Sequence, residues 1–445
     1  MISRVELKSS LSDTSNPIFP VFPTPSSPAI TSTFLTDNAA TTIAIPKQYV
    51  YGYATNLSNL FIIGVNQQTK KMYKVALASG NLTADGITFD ASGWDLGYYR
   101  IFIRKYTAST TVLEYQERTT APLFFNRSPL RFMTYIAPGT FMMGAPANEL
   151  GQGGSDTTHL VKLKYGFFIG RTQLTTRFFK AITGVTMSSV DDKAKAYLCY
   201  SRFNGSGLYG KSVSSKWKTC TGDQLETTVH FNDVGDVSFP SFSELNAQSN
   251  SSPYAYLVDS STTINGQTQT TDNGVISTMN NNSYLSITGF EWDLPTEAQW
   301  EYACRAGTKT AFNNGTNLKH PTEATGEDGS DDTVQPNVDQ VAWYKQHGNS
   351  IHTCGLLLPN LWGLYDMHGN VYEWCKDWSN AYTSTSKIEA IEDPFSDVVA
   401  SSRVLRGGYY NYTARYCRSA IRNYYYPSSA SNYYGCRLAL VHSAS

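Results

Sequence analysis

A chain of 445 residues is long enough for two or three folded units at ~150 residues each. Charged residues make up only 16% of it, against the ~25% usual for soluble domains. The net charge of −1 gives no electrostatic case for binding nucleic acid or an anionic membrane. The 13% of aromatic residues argues against global disorder.

In chain order, the start MISRVELKSSLSD has no apolar core of the signal-peptide kind, so no leader is expected. Residues 1–40, rich in Ser, Thr and Pro, read as an extended arm. Over 41–120 the pattern has period two. Tyr73, Val75 and Leu77 alternate with Met72, Lys74 and Ala76, and Tyr99, Ile101 and Ile103 alternate with Arg100, Phe102 and Arg104. Several short strands with Ser-Gly turns predict a small all-β, immunoglobulin-like sandwich. Residues 121–132, with two prolines close by, read as a linker.

The rest, 133–445, is predicted to be one α+β body. Its clearest helix is LPTEAQWEYACRAG. Thr296 stands three residues before Gln299, a capping box, and Gly307 stands where a C-terminal cap belongs. A second short helix is expected from Thr175 or Thr176 through Ile182. The polar stretch 185–290 reads as a surface insertion. No stretch approaches ~18 consecutive apolar residues, so no membrane span is expected. Seven scattered cysteines without a CxxC pair do not resemble a zinc site. They read mostly as buried thiols, with Cys199 and Cys220 as one candidate disulfide.

Four segments carry a resemblance. They are YIAPGTFMMGA (135–145), DLPTEAQWEYACRAG (293–307), NLWGLYDMHGNVYEWCKDW (360–378) and RVLRGGYY through GCRLAL (403–440). Together they resemble the formylglycine-generating enzyme family, a branch of the C-type lectin fold. The resemblance implies a mixed α/β body with two helices and twisted antiparallel strands. Within it, Trp362, Tyr365, Tyr372 and Trp374 read as core anchors. Gly363, Gly369, Gly407 and Gly408 read as turn residues with positive φ.

The enzymes of that family hold copper with two thiolates in the last segment. The corresponding positions here hold Tyr412 and Cys417 or, counted back from Arg418 and Arg422, Ala414. One thiolate is a poor Cu(I) site, and the seven histidines show no iron-binding spacing. No catalytic residue is therefore expected. The family's calcium loops correspond to Asn317, Leu318, Asp328 and Ser330, and to Asp366, Gly369, Val371 and Glu373. Such oxygen ligands suit a hard cation, which would be structural. Glu373 reads equally as a buried carboxylate accepting N–H or Arg bonds, and GEDGSDD (326–332) as a solvated loop.

Within 409–434, nine of 26 residues are Tyr, against 30 of 445 in the whole chain. Ser, Asn, Ala, Thr and Arg supply most of the rest, the composition of a paratope. The run Tyr424–Tyr426 breaks period-two alternation, so at least one ring must be exposed. The segment also resembles the variable region of proteins diversified by diversity-generating retroelements, in which Asn codons are randomised at adenines. Arg403–Gly408, Arg418–Ala420, Arg422, Pro427, Gly435 and Arg437–Ala439 then read as framework. Tyr409, Tyr412, Thr413, Tyr416, Ile421, Asn423, Tyr424, Tyr425, Tyr426, Tyr433 and Tyr434 read as substituted, ligand-binding positions, with Tyr410 and Cys417 as further candidates. The resemblance implies a binding protein for a protein or glycan receptor, at a virion tail or surface or at a cell surface. Its N-terminal region would join other virion or surface proteins. An oxidase and a structural decoration protein are the alternatives.

Overall fold

The computed structural model describes residues 33–34, 42–50, 60–108, 113–117, 123–152 (less 131), 156–179 (less 177), short pieces between 198 and 280, 287–318, 337–382 (less 349) and 386–443 (less 428 and 430). Most of the N-terminal arm, the GEDGSDD loop and Cys220 lie outside the described residues, as does the predicted helix beyond Phe179. The chain divides into two compact units, 1–127 and 128–445.

The first unit is all β. Strands β1 (Thr33–Phe34), β2 (Thr42–Pro46), β3 (Leu60–Asn66), β4 (Met72–Ala76), β5 (Gly86–Asp90), β6 (Gly97–Ala108), β7 (Leu113–Glu117) and β8 (Leu123–Arg127) form two sheets. One has the order β1-β8-β6-β3-β4 with β7 also on β6, and the other is the antiparallel pair β2-β5. Ile43, Ile45, Ile87 and Phe89 of the pair pack with Ile62, Tyr99, Ile101, Ile103 and Phe125 of the larger sheet around Trp94. The alternation read along β6 holds for Tyr99, Ile101 and Ile103. Phe102, on the other face, is buried as well, against Ile63 and Val65.

The expected linker at 121–132 contains a strand, Leu123–Arg127. β8 pairs with β6 from Gly97↔Arg127 to Ile101↔Leu123. The apolar run Leu123–Phe125 inside that stretch is fully or nearly buried. The prolines flank this run, so each of its residues keeps an N–H for the ladder.

In the second unit, β9 (Met133–Ile136), β10 (Gly139–Met143), β11 (His159–Leu163) and β12 (Phe167–Gly170) precede the insertion. The insertion holds β13 (Leu198–Cys199), β14 (Ala255–Tyr256), β15 (Ser261–Ile264), β16 (Gln267–Thr270) and helix α1 (Val275–Asn280). The stretch read for the most part as a surface insertion reaches the core at its end. Ile276 and Met279 of α1 lie in the core. The Asn280 side chain brackets Trp292, accepting from its N–H at 2.7 Å and donating to its carbonyl at 3.0 Å.

Beyond it come β17 (Phe290–Asp293), helix α2 (Glu297–Arg305), β18 (Ala342–Trp343), β19 (His368–Gly369), β20 (Tyr372–Trp378), β21 (Ile391–Glu392), β22 (Arg403–Arg406), β23 (Asn423–Tyr425), β24 (Tyr434–Gly435) and β25 (Ala439–His442). Two four-stranded sheets, β17-β25-β12-β9 and β23-β22-β20-β24, hold this body. α2 starts at the predicted capping box, with Thr296 and Gln299 bonded reciprocally. Its C-cap is Ala306 in the left-handed region, one residue before the glycine expected there. Trp362, Tyr365, Tyr372 and Trp374 are buried, as anchors should be. Gly363, Gly369, Gly407 and Gly408 all have positive φ.

Candidate ligand-binding face

The framework of the last segment is set by β22 and the two glycines that end it. Gly408 has φ +79, and a Cβ there would stand 2.6 Å from both Cys417 Sγ and the Tyr416 carbonyl oxygen. Only glycine allows the chain to fold back this tightly. The return runs through a 3₁₀ turn at Ala414–Cys417. It then pairs on β22 as β23, with Val404↔Tyr424 and Leu405↔Asn423.

Four arginines tie this segment to the core. Arg406 bonds the Glu301 carboxylate, both groups fully buried. Arg418 pairs with Glu149 and Asp156. Arg422 grips Glu297 with two donors, at 2.7 and 2.8 Å. Arg437 grips Glu373 likewise, at 2.7 and 2.9 Å. Two-pronged Arg–carboxylate pairs fix direction as well as distance. Burial pushes against ionisation of Glu301, yet Arg305 and Arg406 hold it below the ordinary carboxylate range. The sequence reading missed Glu149, Asp156, Glu297 and Glu301 as partners. The i,i+4 spacing of Glu297 and Glu301 on α2 was the available signal.

Positions read as framework are mostly buried. Every residue of Arg403–Gly408, Arg418–Ala420, Pro427, Gly435 and Arg437–Ala439 is buried except half-buried Arg403, and Arg422 is half-buried. Positions read as substituted divide into three groups. Tyr412, Tyr416, Tyr424, Tyr425 and Tyr426 are exposed, the last three by 56, 46 and 52%. Thr413, Ile421, Asn423 and Tyr433 are half-buried.

Tyr409, Tyr410 and Tyr434, expected on the face, are instead buried in the core cluster. Their rings seat the outer ones. Tyr416, Tyr412, Tyr409 and Tyr433 follow one another at 4.7, 4.4 and 4.2 Å between centroids. Tyr425 rests on Tyr434 at 5.2 Å, and Tyr434 on Trp374 at 5.6 Å. Such ring contacts add about 0.5–1.5 kcal/mol each beyond area burial.

A profile of the sulfatase-modifying factor enzyme 1-like domain matches residues 124–441. The chain belongs to that family. Mouse formylglycine-generating enzyme is 33% identical over 166 residues, 34% of this chain and 39% of that enzyme. The enzyme of Thermomonospora curvata is 32% identical over 164 residues, 33% of this chain and 48% of its own length. The chain therefore spans less than half the length of these curated relatives. Among solved structures, Treponema denticola variable protein 1 is similar at 23% identity and a TM-score of 0.41, covering 76% of this chain and 98% of that one. Membership in the sulfatase-modifying factor family agrees with the C-type lectin-like fold expected of the second unit.

Cys417, one of the alternative positions to which the resemblance assigns a thiolate, is fully buried, and burial pushes its thiol up to about 12. A thiol so placed is a packing group rather than a soft ligand. A buried cluster escaped the sequence reading. Cys304 Sγ lies 3.8 Å from His368 Nε2 and 3.6 Å from Ser419 Oγ. His368 is occupied structurally, its Nδ1 at 2.7 Å from the Cys417 carbonyl and its Nε2 accepting from Asn313 N–H at 3.1 Å. Burial lowers His368 to about 4 and raises Cys304 to about 12. The Nε2 lone pair is taken by the Asn313 N–H and all three side chains are fully buried, so the imidazole is not placed to draw a proton from Cys304.

The two calcium loops implied by the sulfatase-modifying factor resemblance differ in what can be described. Asn317 spends its side-chain oxygen on Ala311 N–H at 2.8 Å, and Leu318 packs against a core cluster. Asp328 and Ser330 lie outside the described residues. In the second loop, the carbonyls of Asp366, Gly369 and Val371 and the Glu373 carboxylate do converge on one point. The Gln173 side-chain nitrogen stands at that point, 3.3, 3.2, 2.9 and 2.9 Å from the four oxygens. Glu373 also accepts from Trp300 Nε1 at 2.6 Å and from Arg437. These are N–H···O distances, well beyond the ~2.3–2.6 Å of calcium ligation. The donor set as arranged does not fit calcium. Among the described residues no group of three or more His, Cys, Asp or Glu is placed to hold a metal.

Proposed function

We propose that the chain is a variable protein of the diversity-generating-retroelement kind. It would present a diversified, Tyr-rich face on a sulfatase-modifying-factor scaffold to bind a ligand, without catalysis. The observation that supports this reading is the partition of 403–440. Residues read as framework are buried or ion-paired, while Tyr412, Tyr416, Tyr424, Tyr425 and Tyr426 stand outside. Surface substitutions usually change stability by no more than ~0.5 kcal/mol, whereas a few aromatic anchors can dominate binding. Diversity at the outer positions is therefore compatible with one fold.

The ligand would be a protein or glycan receptor. Within 409–434 the only charged residues are arginines, and Arg418 and Arg422 are committed to internal carboxylates. The face thus offers phenols, amides and hydroxyls, with the half-buried Arg415 beside Tyr416 as its one cationic group. Attachment to a virion or cell surface would fall to the first unit. Its strand order supports an immunoglobulin-like reading: β2-β5 stand as strands B and E, and β3-β6-β8 as C, F and G.

The identity to formylglycine-generating enzymes favours oxidase activity as the second reading. The buried single thiol of Cys417 weighs against it. The deciding experiment is to sequence the flanking DNA. The reading expects a reverse transcriptase and a near-copy of codons 403–440 differing only at adenines. Copper-dependent oxidation of a sulfatase-type peptide by the purified chain would favour the enzyme instead.

A further inference from the structure

We propose that the side-chain amide of Gln173 takes the place of a structural cation in the 366–373 loop, so that this loop folds without a metal. Gln173 is 1% exposed and directly follows the turn that leaves β12. Its NH2 group carries two protons and faces four acceptors: three main-chain carbonyls and one carboxylate oxygen. Among the described residues its Oε1 has no partner within hydrogen-bond reach. Turning the amide over would aim Oε1 at four other oxygens, an arrangement that only a cation could stabilise.

The charge balance points the same way. The Arg437 guanidinium donates twice to Glu373 and also reaches the carbonyls of Tyr365 and Asp366, at 2.9 and 3.4 Å. A dication at the Gln173 position would share its oxygens with a fixed positive charge. A neutral amide meets the same acceptors with no such repulsion. Gly369 lets the loop close. Its φ is +82, and a Cβ there would lie 1.7 Å from the Trp343 carbonyl oxygen.

The experiment is thermal unfolding of the full chain in chelator, in millimolar calcium and in millimolar magnesium. An Asp328→Ala background removes any response from the other loop. With Gln173 intact, the unfolding midpoint is expected to be the same in all three, and a rise in calcium would overturn the proposal. Gln173→Ala is expected to lower the midpoint in chelator and to regain it in calcium more than in magnesium. An unchanged midpoint in chelator, or a loss that calcium does not restore, would overturn it too. Should Gln173→Ala yield no folded protein, Gln173→Glu replaces it, because a fifth oxygen in the cage is expected to make folding depend on calcium. Folding of that variant in chelator would contradict the proposal.

Discussion

Tyr412 packs on Tyr409 with ring centroids 4.4 Å apart, yet Tyr412 is 36% exposed and Tyr409 only 8%. The Tyr-rich segment is thus built in two tiers. The inner rings complete the core, and the outer rings lie on them with their hydroxyl edges toward solvent. Replacing the inner ring, Tyr409→Ala, should destabilise the fold by ~3–5 kcal/mol, as for other buried aromatics. Tyr424→Ala should change stability by no more than ~0.5 kcal/mol. Chemical denaturation of the two variants side by side checks the division.

Arg422 and Glu297 join the tip of the segment to the start of α2 through two hydrogen bonds, at 2.7 and 2.8 Å. Breaking a buried pair from one side leaves the other charge stranded, at ~3–5 kcal/mol. Glu297→Ala should lose stability on that scale, and Arg422→Ala less, since Arg406 remains 3.4 Å from Glu297. The double variant should lose much less than the sum, and a double-mutant cycle measures the difference.

Gly408→Ala should destabilise by at least ~1–3 kcal/mol, since it puts a side chain in the left-handed region. Adding Cys417→Ala should give back only part of this. The Tyr416 carbonyl oxygen is as close to the new Cβ as the sulfur, at 2.6 Å each, and the carbonyl stays. Unfolding midpoints of the single and double variants test this.

Asp377 gives the fold a pH dependence. Its oxygens accept from the N–H groups of Glu297 at 2.7 Å and Ser396 at 3.0 Å, which favours the ionised form. Burial, with the Glu297 carboxylate nearby, outweighs them and raises the group from 3.8 to about 7. A raised folded value means that the native state holds a proton the unfolded chain gives up. The contribution is full below about pH 4 and is lost as the pH rises through about 7. Asp377→Asn should flatten the fall in stability across that window, whatever it does to the overall level. Denaturation series at several pH values read the slope.

Much of this was legible in the sequence because local chemistry agreed with the fold. The Thr296–Gln299 capping box and the alternation along β6 both carried their own signatures. The framework arginines were legible through motif alone. Their partners Glu149 and Asp156 lie about 270 and 260 residues away, a separation over which no periodicity speaks. The strand at Leu123–Arg127 was hidden by its flanking prolines. The burial of Tyr409, Tyr410 and Tyr434 was hidden by composition, which counts phenols without saying which ones stack beneath others. Gln173 left no signal, because its role exists only where four distant oxygens meet.

The central claim is that the outer positions are free to vary while the frame is not. Its most direct test is a displayed library randomised at 412, 413, 416, 421, 423–426 and 433, beside a second library randomised at 406, 418, 422 and 437. Folded display is the readout, followed by selection against unrelated protein and glycan targets. The account predicts that most members of the first library fold and yield target-specific binders, and that nearly all of the second fail to fold. Loss of folding in the first library, or ready tolerance in the second, would contradict it.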